Sequence, residues 1–211
     1  MKIKLFGLLA IGLLSAQMSM AKELTLKPSY NYMDGKLLLG NDDTGIDYGI
    51  DWSVSRDISP SFNMLFGVES MVTEGNSHSY VNSISLNTLR GGMGAHKSIA
   101  PKTDIYGNAT LSYSYLLLDT DYKIGRTKGE WGYGTELGIR HKLNSKVEFN
   151  AKIEYKKLAE DLDDTIFEDV DGLMFSMGGR AYLTNALSVG ANYQHNTDVG
   201  LMGLNLRYDT F

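Results

Sequence analysis

Beyond its first twenty or so residues the chain alternates apolar and polar positions with period two almost throughout, the spacing of strands whose two faces meet different surroundings. The clearest stretch is Trp131 to Tyr155. Trp131, Tyr133, Thr135, Leu137 and Ile139 lie on one face, and Gly132, Gly134, Glu136, Gly138, Arg140 and Lys142 on the other. After a turn at Leu143 to Ser145, Val147, Phe149, Ala151, Ile153 and Tyr155 alternate with Glu148, Asn150, Lys152, Glu154 and Lys156. Two such runs joined by three residues predict a β-hairpin. A register with Arg140 opposite Glu148 also sets Glu136 opposite Lys152 and Tyr133 opposite Tyr155, all favourable cross-strand pairs, and a Glu136–Glu154 pairing would refute it.

The same alternation predicts eight further strands. The first carries Leu24, Leu26, Tyr30 and Tyr32, the second Ile46 to Val54, and the third Phe62 to Val68. In the fourth the phase slips, because Ile84 and Leu86 are even while Leu89, Met93 and Ala95 are odd, and a β-bulge near Asn87 or Thr88 is expected. The fifth runs from Ile105 to Leu117, and the last three are centred on Leu173 to Leu183, Leu187 to Tyr193 and Met202 to Tyr208. No helical period of useful length competes.

Connections also alternate. Ile58-Ser59-Pro60-Ser61, Ile99-Ala100-Pro101-Lys102, Leu143-Asn144-Ser145-Lys146 and Leu183-Thr184-Asn185-Ala186 are short and alike, whereas the stretches around 34–43, 74–82, 119–128 and 157–170 are longer and polar. An up-and-down arrangement with short turns at one end and longer loops at the other follows.

The amino terminus changes the picture. Lys2 and Lys4, an apolar run from Leu5 to Leu14 and the small residues around Ala21 predict a secretory signal peptide over 1–21, leaving 22–211 as one β-barrel domain. The apolar run is about half the ~20 residues a membrane-spanning helix needs. With 20 Lys and Arg against 25 Asp and Glu the chain is mildly acidic, which argues against nucleic acid as a partner. Cysteine is absent, so there is neither a disulfide framework nor a thiolate metal site.

Three features decide which face meets water. Aromatic residues gather toward strand ends: Tyr30, Tyr32, Tyr80, Tyr113, Tyr115, Trp131, Tyr133, Tyr155 and Tyr193 at the long-loop end, Trp52, Phe62, Phe149 and Tyr208 at the short-turn end. Such belts mark membrane interfaces. Glycines recur on the polar face, as a narrow lumen requires, and the chain ends in Phe211 directly after a strand. The signal peptide, the even number of amphipathic strands, the alternation of short and long connections and the ending GLNLRYDTF resemble the small Gram-negative outer-membrane β-barrel proteins, the group that includes the membrane domain of outer-membrane protein A.

The resemblance implies an all-β fold, an antiparallel up-and-down transmembrane β-barrel. It also implies a location in the outer membrane among lipid and lipopolysaccharide, and a terminal Phe211 that serves as the signal for the barrel-assembly machinery. Family members usually keep that Phe in phase with the outward residues of the last strand, whereas here Leu204, Leu206 and Tyr208 are even and Phe211 is odd. Ten strands are expected, with eight as the alternative. Eight strands already fill their interior with side chains, so a ten-stranded lumen should be narrow or plugged, unlike the 16-stranded porins. Its filling is expected from Asp47, Asp51, Glu69, Glu136, Arg140, Glu148, Lys152, Glu154, Arg180 and Arg207, a structural ion-pair network of both signs.

Nothing in the sequence assembles a catalytic, cofactor or metal site. The four histidines, His78, His96, His141 and His195, fall on different hairpins. His195 tests poorly against the outer-membrane lipid A deacylases, which pair a His with a Ser two residues on; here that residue is Thr197, with no Glu following. Omptin-type proteolysis would need acidic pairs beside a His, and His78 near Glu74 is a thin basis. The acidic stretch 158–171 lacks the spacing and central Gly of an EF-hand. The expected role is structural, adhesive or interactive at the cell surface through a ligand the sequence does not name. The alternatives are a barrel enzyme and a soluble periplasmic, lipocalin-like binding barrel.

Overall fold

The computed structural model describes residues 27–40, 46–74, 81–120, 124–126, 129–157, 172–196 and 200–210. The expected leader 1–21, Tyr80, His78, Thr197, the acidic stretch 158–171 and Phe211 lie outside the described residues. The described elements are all strands: β1 (Tyr32–Gly40), β2 (Tyr48–Ser59), β3 (Phe62–Glu74), β4 (Val81–Ala100), β5 (Thr103–Thr120), β6 (Ile124–Arg126), β7 (Glu130–Lys142), β8 (Val147–Lys157), β9 (Gly172–Tyr182), β10 (Leu187–His195) and β11 (Gly200–Asp209).

Each wall strand pairs antiparallel with its chain neighbours, and β1 pairs with β11 to close the ring. The short β6 pairs only with the far end of β5, Leu117 opposite Arg126, and continues the line of β7. The wall therefore has ten strands. Closure pairs each wall strand on both sides and removes the open edges that lipid could not solvate.

The outer surface is apolar and most of the inside polar. Leu111, Leu137, Ile153, Met177 and Leu204 are exposed, Leu137 to 72 %, whereas Asp51, Glu69, Arg140, Glu148, Arg180 and Arg207 are buried. An apolar band running round the whole wall is far more than a soluble monomer leaves in water. It is the surface of a barrel solvated by lipid, which sets aside the soluble binding barrel.

Three local expectations are corrected. The first strand is Tyr32–Gly40, which takes in residues 34–40 of the stretch 34–43 expected as a loop, while Tyr30 precedes it and Leu24 and Leu26 of the expected strand lie outside the described residues. The ladder runs unbroken past Asn87 and Thr88, and the irregularities of β4 fall instead at Val81/Ser83 and Ser98/Ala100. Leu86 keeps its phase and points inward, where it is buried.

The β7–β8 register is the third. Glu136 lies opposite Glu154, Lys142 opposite Glu148 and Arg140 opposite Asn150, two residues away from the expected pairing. The cause is the turn, which spans four residues, 143–146. Asn144 Oδ1 accepts from the backbone amides of Lys146 (2.7 Å) and Val147 (2.9 Å), and Leu143 N–H donates to Val147 O at 3.0 Å. Thr184 holds the 183–186 turn in the same way, its Oγ1 accepting from Leu187 N at 2.9 Å. The other two short turns need only Pro60-Ser61 and Pro101-Lys102, where proline presets φ for the turn.

Candidate functional site: the barrel interior

Side chains fill the interior in three layers. At the short-turn end the segment from Lys27 to Asn31 enters the barrel mouth. The carbonyl of Ser29 accepts from Arg140 Nη1 at 2.6 Å and also from Arg207 Nη2. Tyr30, 6 % exposed, stacks on His96 with ring centroids 3.7 Å apart and lies 4.9 Å under the Arg140 guanidinium. Asn31 is held by Asp57, whose backbone amide donates to Asn31 Oδ1 at 2.7 Å, and His96 Nε2 is 3.2 Å from the same aspartate. Charged groups, not apolar packing, hold this segment.

Around it sits the most buried ion cluster. Glu148, 0 % exposed, accepts from Arg140 Nε (2.9 Å) and Nη2 (2.6 Å), has Arg180 at 3.8 Å, and receives the Tyr182 hydroxyl at 3.3 Å. Tyr182 also donates to Asp209, which pairs with Arg207 at 2.7 Å. Charge-assisted bonds of this length are the strong ones, and they offset the cost of taking the ions out of water.

The middle layer is two linked groups. Arg90 reaches Asp51 at 2.5 Å and Glu69 at 3.4 Å, with Lys36 and Lys156 as their second cations at 3.5 and 2.8 Å. Lys152 lies 2.7 Å from both Glu136 and Glu154. That bridge explains how two glutamates can stand directly opposite each other, since like charges in that position would otherwise repel. A cavity of about 200 Å³ remains, lined by Asp34, Asp51, Arg90, Asn192 and Asn205 among others.

Glycines make the close layering possible. Arg90 lies across Gly67, where an added Cβ would meet its Nε at 2.8 Å, and the Tyr106 ring covers Gly138, directly opposite it, at 2.5 Å. Gly138→Val therefore expels Tyr106 from its place against Tyr30. It should cost about 1–3 kcal/mol, the usual range for overpacking, read as a lower midpoint of the heat-induced mobility change on SDS gels.

The third layer, toward the loops, is apolar. Leu38, Ile46, Met71, Leu86, Leu116 and Leu201 form one buried cluster, flanked by Ile84 and Leu118. It comes from β1, β3, β4, β5 and β11 and from Ile46, two residues before β2, and just below it Thr88 and Ser114 share a 2.8 Å hydroxyl bond.

Of the charged residues expected inside, Asp51, Glu69, Glu136, Arg140, Glu148, Lys152, Glu154, Arg180 and Arg207 all lie there. Asp47 does not: it is exposed at the loop rim, where its carboxylate accepts from Glu74 N at 2.6 Å. The sequence reading missed Asp34, Lys36, Arg90, Lys142, Lys156 and Asp209. Lys142 and Lys156 were visible on the polar face of the alternation, and Arg90 was hidden by the supposed bulge. With these and the buried Asp104, which it also missed, cations and carboxylates among the described interior residues are equal in number.

Among the aromatics, Trp131, Tyr133, Tyr155 and Tyr193 stand exposed on the outside near the loops, with Tyr113 packed edge-on against Trp131 and Tyr115 under Arg126. Phe62, Phe149 and Tyr208 occupy the opposite end. Three belt assignments are corrected: Tyr30 is buried at the mouth, Tyr32 faces inward beneath Arg207 at 3.7 Å, and Trp52 is not at the short-turn end. Trp52 lies mid-strand, opposite Gly35. His195 is exposed at the loop end, stacked on Tyr193, and His141 bonds Thr103 Oγ1 at 2.8 Å. The described residues hold no group of three or more potential metal ligands.

Residues 6–168 match the outer membrane protein beta-barrel domain family. No curated protein matches the chain. Among solved structures it is similar to Neisserial surface protein A, at 10 % identity over 85 % of this chain and 96 % of that one, with a TM-score of 0.48. It is similar also to the KdgM porin in complex with disordered oligogalacturonate (11 %, 85 % and 99 %, 0.46) and to OprG from Pseudomonas aeruginosa (10 %, 88 % and 100 %, 0.43).

Proposed function

The chain belongs to the outer membrane protein beta-barrel domain family, and from that premise we propose that it is a closed-lumen scaffold presenting its loops at the cell surface, with a structural or adhesive role. It is an integral barrel of the Gram-negative outer membrane, with its short turns toward the periplasm and its longer loops outside. The observation that carries the closed-lumen reading is the stacking of an arginine-gripped segment, a charge-balanced network and the Leu38–Leu201 cluster along one axis. Water and small ions meet apolar side chains at one end and the Tyr30 segment at the other. The ion pairs in this reading fix the register and spacing of the wall and do not conduct.

The same reading gives the acidic stretch 158–171 a role in bridging divalent cations to lipopolysaccharide, and Phe211 a role as the end recognised by the barrel-assembly machinery. No catalytic residue is assigned.

Planar-bilayer recording of the purified full chain tests closure. The expected trace stays at baseline, and the double variant Leu38→Gly/Leu201→Gly combined with Arg140→Ala shows discrete current steps. Stable steps from the unmodified protein would overturn the reading and make the charged interior a conduction path.

A further inference from the structure

The outer wall is not uniformly convex. A shallow, open groove, whose lining includes Phe62, Ala95, Ile105, Leu137, Ile153 and Phe175 together with Lys97, starts at the short-turn end and runs diagonally across it. Its axis is a single cross-strand row given by the register: Phe62, Ala95, Gly107, Leu137, Ile153 and Phe175, each directly opposite the next. Ala95 makes the floor, and Phe62 and Leu137, whose side chain leans over Gly107, stand on either side. Lys97, exposed and also lining the groove, is the next outward residue toward the periplasmic turns, and its partner on that face is Ile105, not a carboxylate.

Charge at this end is segregated. Arg56, Lys97 and Lys146 are exposed. Among the described residues, the carboxylates at the same end are turned inward or engaged: Asp104, Glu148 and Asp209 are buried, and Asp57 is held by Asn31 and His96. The outside of the periplasmic rim therefore presents cations at the depth of the lipid headgroups, beside a recess at the depth of the acyl chains.

We propose that this groove is a binding site for one anionic glycerophospholipid of the periplasmic leaflet, an acyl chain lying over Ala95 between Phe62 and Leu137 and the phosphodiester beside Lys97. Acyl packing in the recess supplies retention, because a groove between Phe62 and Leu137 surrounds the chain on more sides than a convex wall can. Lys97 supplies headgroup selectivity, because a cation near the surface favours an anionic headgroup and is screened over a Debye length.

The test is native mass spectrometry of the full chain in detergent, titrated with phosphatidylglycerol or with phosphatidylcholine of the same acyl chains. The unmodified protein is expected to retain one phosphatidylglycerol in preference to phosphatidylcholine. Lys97→Gln should lower that preference about fivefold, the factor one cation at an anionic surface contributes. Ala95→Phe, which fills the floor from the lipid side, should abolish retention of both lipids. Both variants are first checked for the folded barrel by their heat-dependent gel mobility. Equal retention of the two lipids by the unmodified protein, or unchanged retention by Ala95→Phe, would mean annular lipid only and sink the proposal.

Discussion

Arg140→Ala is expected to destabilise the barrel by about 3–5 kcal/mol, the range for removing one partner of a buried ion pair. Glu148 has no exposed surface, and Arg140 gives it two hydrogen bonds, so the truncation leaves a carboxylate with Arg180 at 3.8 Å and the Tyr182 hydroxyl. The same change frees one grip on the Ser29 carbonyl. Urea-dependent unfolding of the protein reconstituted in lipid vesicles measures the loss. Pairing Arg140→Met with Glu148→Leu should restore much of it, since both buried charges then disappear together, and the difference is the coupling energy of the pair. A loss below about 1 kcal/mol, the value of an exposed pair, would show the interior to be open water and contradict the closed lumen.

The second large effect belongs to the other face. Leu137 sits in the middle of β7 and is 72 % exposed, so on a water-soluble barrel Leu137→Arg would change stability by no more than about 0.5 kcal/mol. In the bilayer the same substitution should cost about 2–4 kcal/mol, falling to about 0–1 near the interface. Leu173→Arg, at the loop end of β9 and similarly exposed, is the shallow comparison. Folding equilibria of both variants in vesicles give the depth profile. Equal costs at the two positions would mean the apolar band is not sensing a membrane gradient.

The inside-out distribution was legible because period two survives wherever one face meets lipid and the other a polar lumen. β7, β8 and the Met202–Asp209 part of β11 obey it, and the charged positions read from them lie inside. The signal failed where the lumen itself becomes apolar. Leu37, Leu38 and Leu39 are consecutive in β1, with Leu38 buried inside and its neighbours exposed to lipid, so the strand looked like a loop and took Asp34 and Lys36 with it. Ile84 and Leu86 turn inward to the same cluster, which imitated a bulge and hid Arg90. Tyr30 and Tyr32 were misplaced for a related reason, since an aromatic ring suits an interface belt and a guanidinium stack equally well.

By itself, then, the sequence determined all but the first of the wall strands, their two faces, the membrane that solvates one of them and most of the charges on the other. These are local properties, written in alternation and in turn residues. The tertiary structure decided the β7–β8 register, through the Asn144 amide bonds, and the bridge of Lys152 to Glu136 across the strands and to Glu154 along its own. It also decided which leucines meet lipid and which close the lumen, because a leucine buried against lipid and one buried against other leucines satisfy the same hydrophobic requirement, and only ring closure assigns each to its side.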